Sequence, residues 1–190
     1  MRNSMKHYAI EVFFEDEFDK YVRNLWELCD SHNLSAFMNR VKGTEPHIAL
    51  AVYENVETES IKKRFNEFIS QDLIRFELTF DAMAFFPTSN VSFLQPNTKQ
   101  EFVDLMKDIH DYFQEYKPNS YYSPERWFPH VTIAKNKTVE ELKNTINYLM
   151  NCFKPQITQV KKLVLVEIEY LDGEIICRNI MDKEFEDKSY

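Results

Sequence analysis

Glycine is nearly absent. The 190 residues contain only Gly43 and Gly173, and phosphate loops of the P-loop or dinucleotide type need several glycines in one turn, so both are excluded. Cysteine is scarce as well. Cys29, Cys152 and Cys177 are odd in number and widely spaced, with no CxxC pair. That argues against a disulfide framework or a zinc ribbon, and for reduced thiols in a cytoplasmic protein. No apolar run approaches the length that spans a bilayer, and the stretch from Met1 to His7 has no apolar segment behind its charges. Neither a signal peptide nor a membrane partner is expected. Basic residues are outnumbered, 23 against 31 acidic ones, for a formal net charge of -8. Non-specific affinity for long nucleic acid comes from neutralising phosphates, so long nucleic acid is not an expected partner. A short or terminal phosphate, met in a local pocket, is compatible with this charge.

Apolar side chains are plentiful, with 16 Phe and 10 Tyr, enough for a packed core in one domain over 1–190 made of two lobes. Alternation predicts a strand at His7 to Phe14, with Tyr8, Ile10, Val12 and Phe14 as its core series. Helical spacing follows from Asp16 to His32, and Ala36 to Val41 reads as a second strand. An amphipathic helix is predicted over Glu57 to Ser70. Leu73 to Phe86 and Val91 to Leu94 read as a hairpin across Pro87-Thr88-Ser89-Asn90. Thr98 to Tyr116 is the clearest helix. Thr138-Val139-Glu140-Glu141 is a capping box opening a helix to about Cys152. Val160 to Tyr170 and Glu174 to Ile180 flank an Asp172-Gly173 hairpin turn, and the last ten residues are expected to fray.

Two stretches inside this order match each other. Pro46-His47-Ile48-Ala49-Leu50-Ala51 and Pro129-His130-Val131-Thr132-Ile133-Ala134 both read Pro-His-(β-branched)-(small)-(aliphatic)-Ala. Each begins a predicted strand and is followed by a helix, giving two strand-helix units at 46–70 and 129–152 expected to face one cleft. Period two places Ile48, Leu50 and Val52 on one face, and His47, Ala49 and Ala51 on the other. In the second copy it places Val131 and Ile133 towards the core, away from His130, Thr132 and Ala134. Small neighbours leave room over each imidazole.

Histidine is the side chain whose proton equilibrium lies closest to neutral pH. Two histidines on opposite sides of a phosphodiester can act as base and acid in one in-line displacement. Hydroxyls two residues along the same strands can hold the non-bridging oxygens as charge develops. No metal or other cofactor is called for. A lone histidine at a strand start is usually structural, but the duplicated context is hard to ascribe to packing. His7, His32 and His110 lack that context, and His32 and His110 read as helix-surface or boundary residues.

The paired motifs resemble the H-x-[ST]-x signatures of the 2H phosphoesterase superfamily, specifically its 2′-5′ RNA ligase-like, cyclic phosphodiesterase branch. His130-Val131-Thr132-Ile133 matches in full, whereas His47-Ile48-Ala49-Leu50 has Ala49 where a Ser or Thr is expected. The resemblance covers about Tyr8 to Ile180. It implies a bilobal α+β fold, a pseudo-twofold pair of antiparallel sheets with outer helices around a central cleft. It also implies catalytic His47 and His130, and phosphoester chemistry on 2′-5′ linkages or cyclic phosphates of small nucleotides or RNA ends. Thr132 is the expected phosphate-oxygen donor. Thr44, Tyr53, Arg126 or a water are candidates to replace the hydroxyl missing at Ala49.

The loop before the second motif adds Tyr122 and Arg126, an aromatic face and a cation suited to steadying a base and a phosphate. Trp127 and Phe128 read rather as packing residues, and Lys135 alternates away from the cleft. Arg40, before the first motif, is a weaker substrate-binding candidate. Two other readings stay open. One is a nucleotide- or RNA-end-binding module of the same fold with weakened catalysis, which Ala49 favours. The other is a metal site on the two histidines, which lacks carboxylate or cysteine ligands at a recognisable spacing.

Overall fold

In a computed structural model the described residues are 5–187. The elements run β1 (Met5–Phe14), α1 (Asp16–Ser31), α2 (Phe37–Arg40), β2 (His47–Glu54), α3 (Thr58–Phe68), β3 (Glu77–Phe86) and β4 (Val91–Asn97). Then follow α4 (Gln100–Tyr112), β5 (Val131–Lys135), α5 (Val139–Cys152), β6 (Gln156–Leu171) and β7 (Glu174–Glu184). All strand pairings named here are antiparallel, and the strand order is β2-β1-β6-β3-β4-β5, with β7 paired to β6 off this path. The long strand β6 joins the two halves. Its first residues, from Gln156 to Gln159, pair with β3, and from Val160 onward it pairs with β1. The fold is thus the α+β arrangement with an antiparallel sheet that the resemblance implies.

β2 and β5 stand at opposite ends of the strand order, yet their Cα traces approach within 8 Å. The sheet path therefore bends round until its two terminal strands, the two motif strands, meet. One face carries the helices. Phe18, Leu25 and Trp26 of α1, Phe65 of α3 and Phe102 and Ile109 of α4 share one core with Ile10, Ile48, Leu50, Val131 and Leu165. A smaller cluster, Ala9, Phe13, Val52, Val164 and Val166, lies apart from it, with Ala49, Tyr122 and Cys177 packed at its margin.

The structure departs from the sequence expectations at four places. Ala36 to Val41 is not a strand: Phe37–Arg40 forms the one-turn helix α2. Asn33 takes a positive φ of 56° after α1, and Leu34 and Ser35 both donate to Cys29 O. The Ser35 hydroxyl then accepts from Phe37 N, which starts a turn where extension was expected. Extended pairing is left to Lys42, which bridges Ile176.

The last ten residues do not simply fray. β7 continues to Glu184, Phe185 is buried and Glu186 N donates to Leu73 O, while 188–190 lie outside the described residues. The charges of Asp182, Lys183 and Glu184 suit the outermost strand of a sheet, where charge discourages pairing with another chain.

The third and fourth corrections concern faces. Opposite β1, Ile10 pairs with Ala51 and Glu11 with Ala49, so Leu50 is an extra, bulged residue. Opposite β4, Ser92 pairs with Ala134 and Phe93 with Thr132, so Ile133 is extra in the same way. Each bulge lies three residues after the motif histidine and reverses the alternation beyond it. Ala51 and Ala134 consequently turn into the helix-side core with no exposure, and Val52 joins the other cluster. The repeated alanine of the motif is a packing residue, its size set by where the bulge points it.

Candidate active site

The two histidines are held alike. His47 Nδ1 lies 2.6 Å from Glu45 O, and His130 Nδ1 lies 2.7 Å from Phe128 O. A carbonyl oxygen can only accept, so Nδ1 carries the hydrogen in both rings and Nε2 is left to work. The intervening Pro46 and Pro129 hold the preceding residues out of the helical region, which suits a carbonyl two residues back turning onto each ring.

The surroundings differ. His130 sits among phenyl rings, with the Phe86 and Phe93 centroids at 5.2 and 5.1 Å. Burial first, and the charge of nearby His47 as well, hold its imidazole below the usual histidine range, against the opposing bond to Phe128 O. His47 has Phe13 at 6.4 Å, and its Nε2 stands 3.6 Å from Glu11 Oε1. Glu11 is only 4% exposed. Burial pushes its carboxyl above the ordinary range, the positive charge of His47 opposes this, and Glu45 adds to it.

The tryptophans, two in the whole chain, complete the likeness of the halves. Trp127 Nε1 donates to Ala49 O at 3.0 Å, and Trp26 Nε1 donates to Thr132 O at 2.9 Å. The two carbonyls belong to equivalent motif positions on strands that end the sheet path, where backbone groups lack a ladder partner. His110 Nε2 lies 3.2 Å from Leu50 O, so this histidine is a brace for β2 and not merely a helix-surface residue. His32 keeps to the surface, bonded to Leu28 O.

The other candidates are distributed unevenly. Tyr122 packs against the margin of the Ala9–Phe13 cluster, close enough to Glu11 that burial and the Glu11 charge push its phenol up to about 12. Thr132 is half-buried on β5. Arg126 is exposed, its guanidinium 5.2 Å from the centre of the Tyr121 ring. Arg40 closes α2 and lines a hollow of about 410 Å³ with Asp30, Phe37, Lys135 and Lys137, a hollow whose walls include neither motif histidine. Tyr53 does not replace the missing hydroxyl: it is buried in the helix-side core, its ring 6.0 Å from Phe113 and 5.8 Å from Tyr116. Trp127 packs on Phe102 at 5.2 Å, in keeping with the packing role read from sequence. Among the described residues no three His, Cys, Asp or Glu side chains gather in a way that would hold a metal ion.

Residues 14–170 match the family model of the 2′-5′ RNA ligase superfamily. The chain belongs to that superfamily, the 2H phosphoesterases. Among solved structures, that of E. coli LigT complexed with 3′-AMP is 13% identical, aligning over 95% of this chain and 98% of LigT with a TM-score of 0.67. TT0787 of Thermus thermophilus is 12% identical over 96% of this chain and all of its own, with a TM-score of 0.65. At these identities the likeness shows the 2H fold. No curated protein sequence matches the chain.

Glu11, 3.6 Å from His47 Nε2, carries no sign of that place in the sequence. Alternation along β1 puts it on the side away from the core series. Its flanking partners on that face, Ala9 and Phe13, are themselves apolar, which marks a strand buried on both faces. An acid in such a strand needs an explanation.

Proposed function

We propose that this 2H protein is a metal-independent phosphoesterase acting on 2′-5′ linkages or cyclic phosphates of small nucleotides or RNA ends. His47 and His130 serve as its acid–base pair, one from each strand-helix unit, across one cleft. The observation that supports this best is the matched restraint of the two rings: each gives its Nδ1 hydrogen to the carbonyl two residues back, leaving Nε2 for proton transfer. The phenyl cage drives His130 towards neutral imidazole, so His130 takes the proton from the attacking hydroxyl, a ribose 2′-OH or a water. His47, whose Nε2 stands 3.6 Å from Glu11 Oε1, is the acid that delivers a proton to the leaving oxygen. Roles exchange in the reverse, ligating direction. Thr132 donates to a non-bridging oxygen. Tyr122 and Arg126 form the substrate side of the loop, with Arg40 at longer range.

That E. coli LigT has been crystallised with 3′-AMP, ATP and phosphate supports a small nucleotide or phosphate ligand here. The test is turnover of 2′,3′-cyclic nucleotides and 2′-5′ dinucleotides in the presence of EDTA. Activity is expected to survive the chelator and to be lost in His47→Ala and His130→Ala. Unchanged turnover in either variant overturns the acid–base assignment. Nucleotide binding without turnover by the wild-type chain would instead establish the weakened binding module, the reading that Ala49 favours.

A further inference from the structure

The two halves of the site can be compared rung by rung. In the second half the motif residue Thr132 lies opposite Phe93 in the β4–β5 ladder. In the first half its equivalent, Ala49, lies opposite Glu11 in the β1–β2 ladder. Both rungs directly adjoin the bulged residue, Ile133 in one and Leu50 in the other. The second half thus pairs a hydroxyl with a phenyl ring, and the first pairs a methyl group with a carboxyl. The polar group has crossed the rung. Residues directly opposite in a ladder have Cβ atoms about 5 Å apart, and a glutamate side chain is long enough to span that distance.

Resting on the phosphoesterase reading above, we propose that the Glu11 carboxyl stands in for the hydroxyl absent at position 49, donating a hydrogen bond to a phosphate oxygen held between His47 and His130. A carboxyl donates only while protonated, and its surroundings favour that form. Glu11 is enclosed by Ala9, Phe13 and Val164. The groups that bear on it electrostatically are His47, Glu45, Tyr122 and Cys177. Only His47 among them favours the carboxylate. Glu45 opposes it, and its own oxygens are engaged by Asn179 Nδ2 at 2.6 Å and Arg23 Nη2 at 3.9 Å. An arriving phosphate adds negative charge beside Glu11 and raises the carboxyl's hold on its proton further.

The experiment is inorganic phosphate binding, followed through the imidazole resonances by NMR. Wild type, Glu11→Ala, Glu11→Gln and the double variant Glu11→Ala/Ala49→Thr are compared at pH 6 and pH 8. Loss of one hydrogen bond to a charged group should weaken binding roughly ten- to a hundredfold in Glu11→Ala. Glu11→Gln keeps a donor of the same length and should stay within about threefold of wild type at pH 6. Its affinity relative to wild type should hold or rise, and never fall, from pH 6 to pH 8, because only the wild-type side chain can lose its donor by forming a carboxylate. Ala49→Thr should restore binding in the Glu11→Ala background.

The proposal is overturned if Glu11→Ala binds phosphate as wild type does. It is equally overturned if Glu11→Gln binds as poorly as a donor-free site, for then the carboxylate charge acts, by holding His47, and not the donor. Should Glu11→Ala fail to fold, the Glu11→Gln comparison at the two pH values decides alone. Phosphate binding needs no turnover. A chain that binds in the expected pattern but cleaves no phosphodiester sustains Glu11 and sinks the enzyme reading. A chain that cleaves cyclic phosphates at the wild-type rate with Glu11→Ala does the reverse.

Discussion

Replacing each tryptophan by phenylalanine tests whether the two halves are braced alike. The perturbation is small: Trp26→Phe removes the donor to Thr132 O, and Trp127→Phe removes the donor to Ala49 O. Both leave an aromatic ring in place. The magnitudes should differ because water reaches the two sites differently. Trp26 is 4% exposed and shares the helix-side core. Its loss leaves a poorly hydrated carbonyl, costing about 1–3 kcal/mol, and removes apolar area worth about 1 kcal/mol more. For a domain of this size each kcal/mol lowers Tm by roughly 2–4 °C, so Trp26→Phe should lower Tm by about 4–16 °C. Trp127 is half-buried, and water can take over its bond to Ala49 O. The cost should fall near the net value of a hydrogen bond, about 0.5–1.5 kcal/mol, or roughly 1–6 °C. Trp127 nevertheless ties the loop bearing Tyr122 and Arg126 to the first motif, so its variant should raise KM for a cyclic phosphate several-fold. Thermal unfolding and steady-state kinetics on the same preparations read both effects. If Trp127→Phe costs as much stability as Trp26→Phe, or if its KM is unchanged, the bracing argument is wrong.

Three further outcomes follow from the same geometry. Thr132→Ala should reduce kcat/KM roughly ten- to a hundredfold with little change in Tm, and a silent variant in the cyclic phosphate assay would contradict the assigned asymmetry of the two motifs. His130 is held below its unfolded range by its phenyl cage, so the unfolded chain binds the extra proton first. Its contribution to stability is therefore present above about pH 6.5 and is lost as pH falls through the unfolded and then the folded value. The acid limb of kcat/KM should accordingly lie below about pH 6.5, and Phe86→Ser, by admitting water beside the ring, should move it upward in a pH–rate profile. Ala51→Val and Ala134→Val should each destabilise by about 1–3 kcal/mol through overpacking, measured by urea denaturation; wild-type midpoints would mean that the bulges do not turn these methyl groups into the core.

What was legible in the sequence was whatever one strand or helix expresses by itself. The alternation of Tyr8, Ile10, Val12 and Phe14 announced β1, and Thr138 announced α5, where its hydroxyl accepts from Glu141 N at 3.1 Å. The duplicated Pro-His stretch likewise announced two equivalent strands. Properties belonging to a pair of strands were hidden. A bulge depends on which residue the neighbour presents, so Leu50 and Ile133 looked like ordinary core positions and Ala51 and Ala134 like cleft positions. The same limit concealed Glu11. Read along its own strand it is one acid in an alternating segment, as exposed as Glu15 would suggest. Its burial arises because β1 lies between β2 and β6, and its place beside Ala49 arises from a ladder register. A missing hydroxyl in one strand was visible at once. The side chain opposite it could be found only after the strands were paired, because a site built from ladder rungs distributes each polar group over two segments of the chain that carry no local sign of each other.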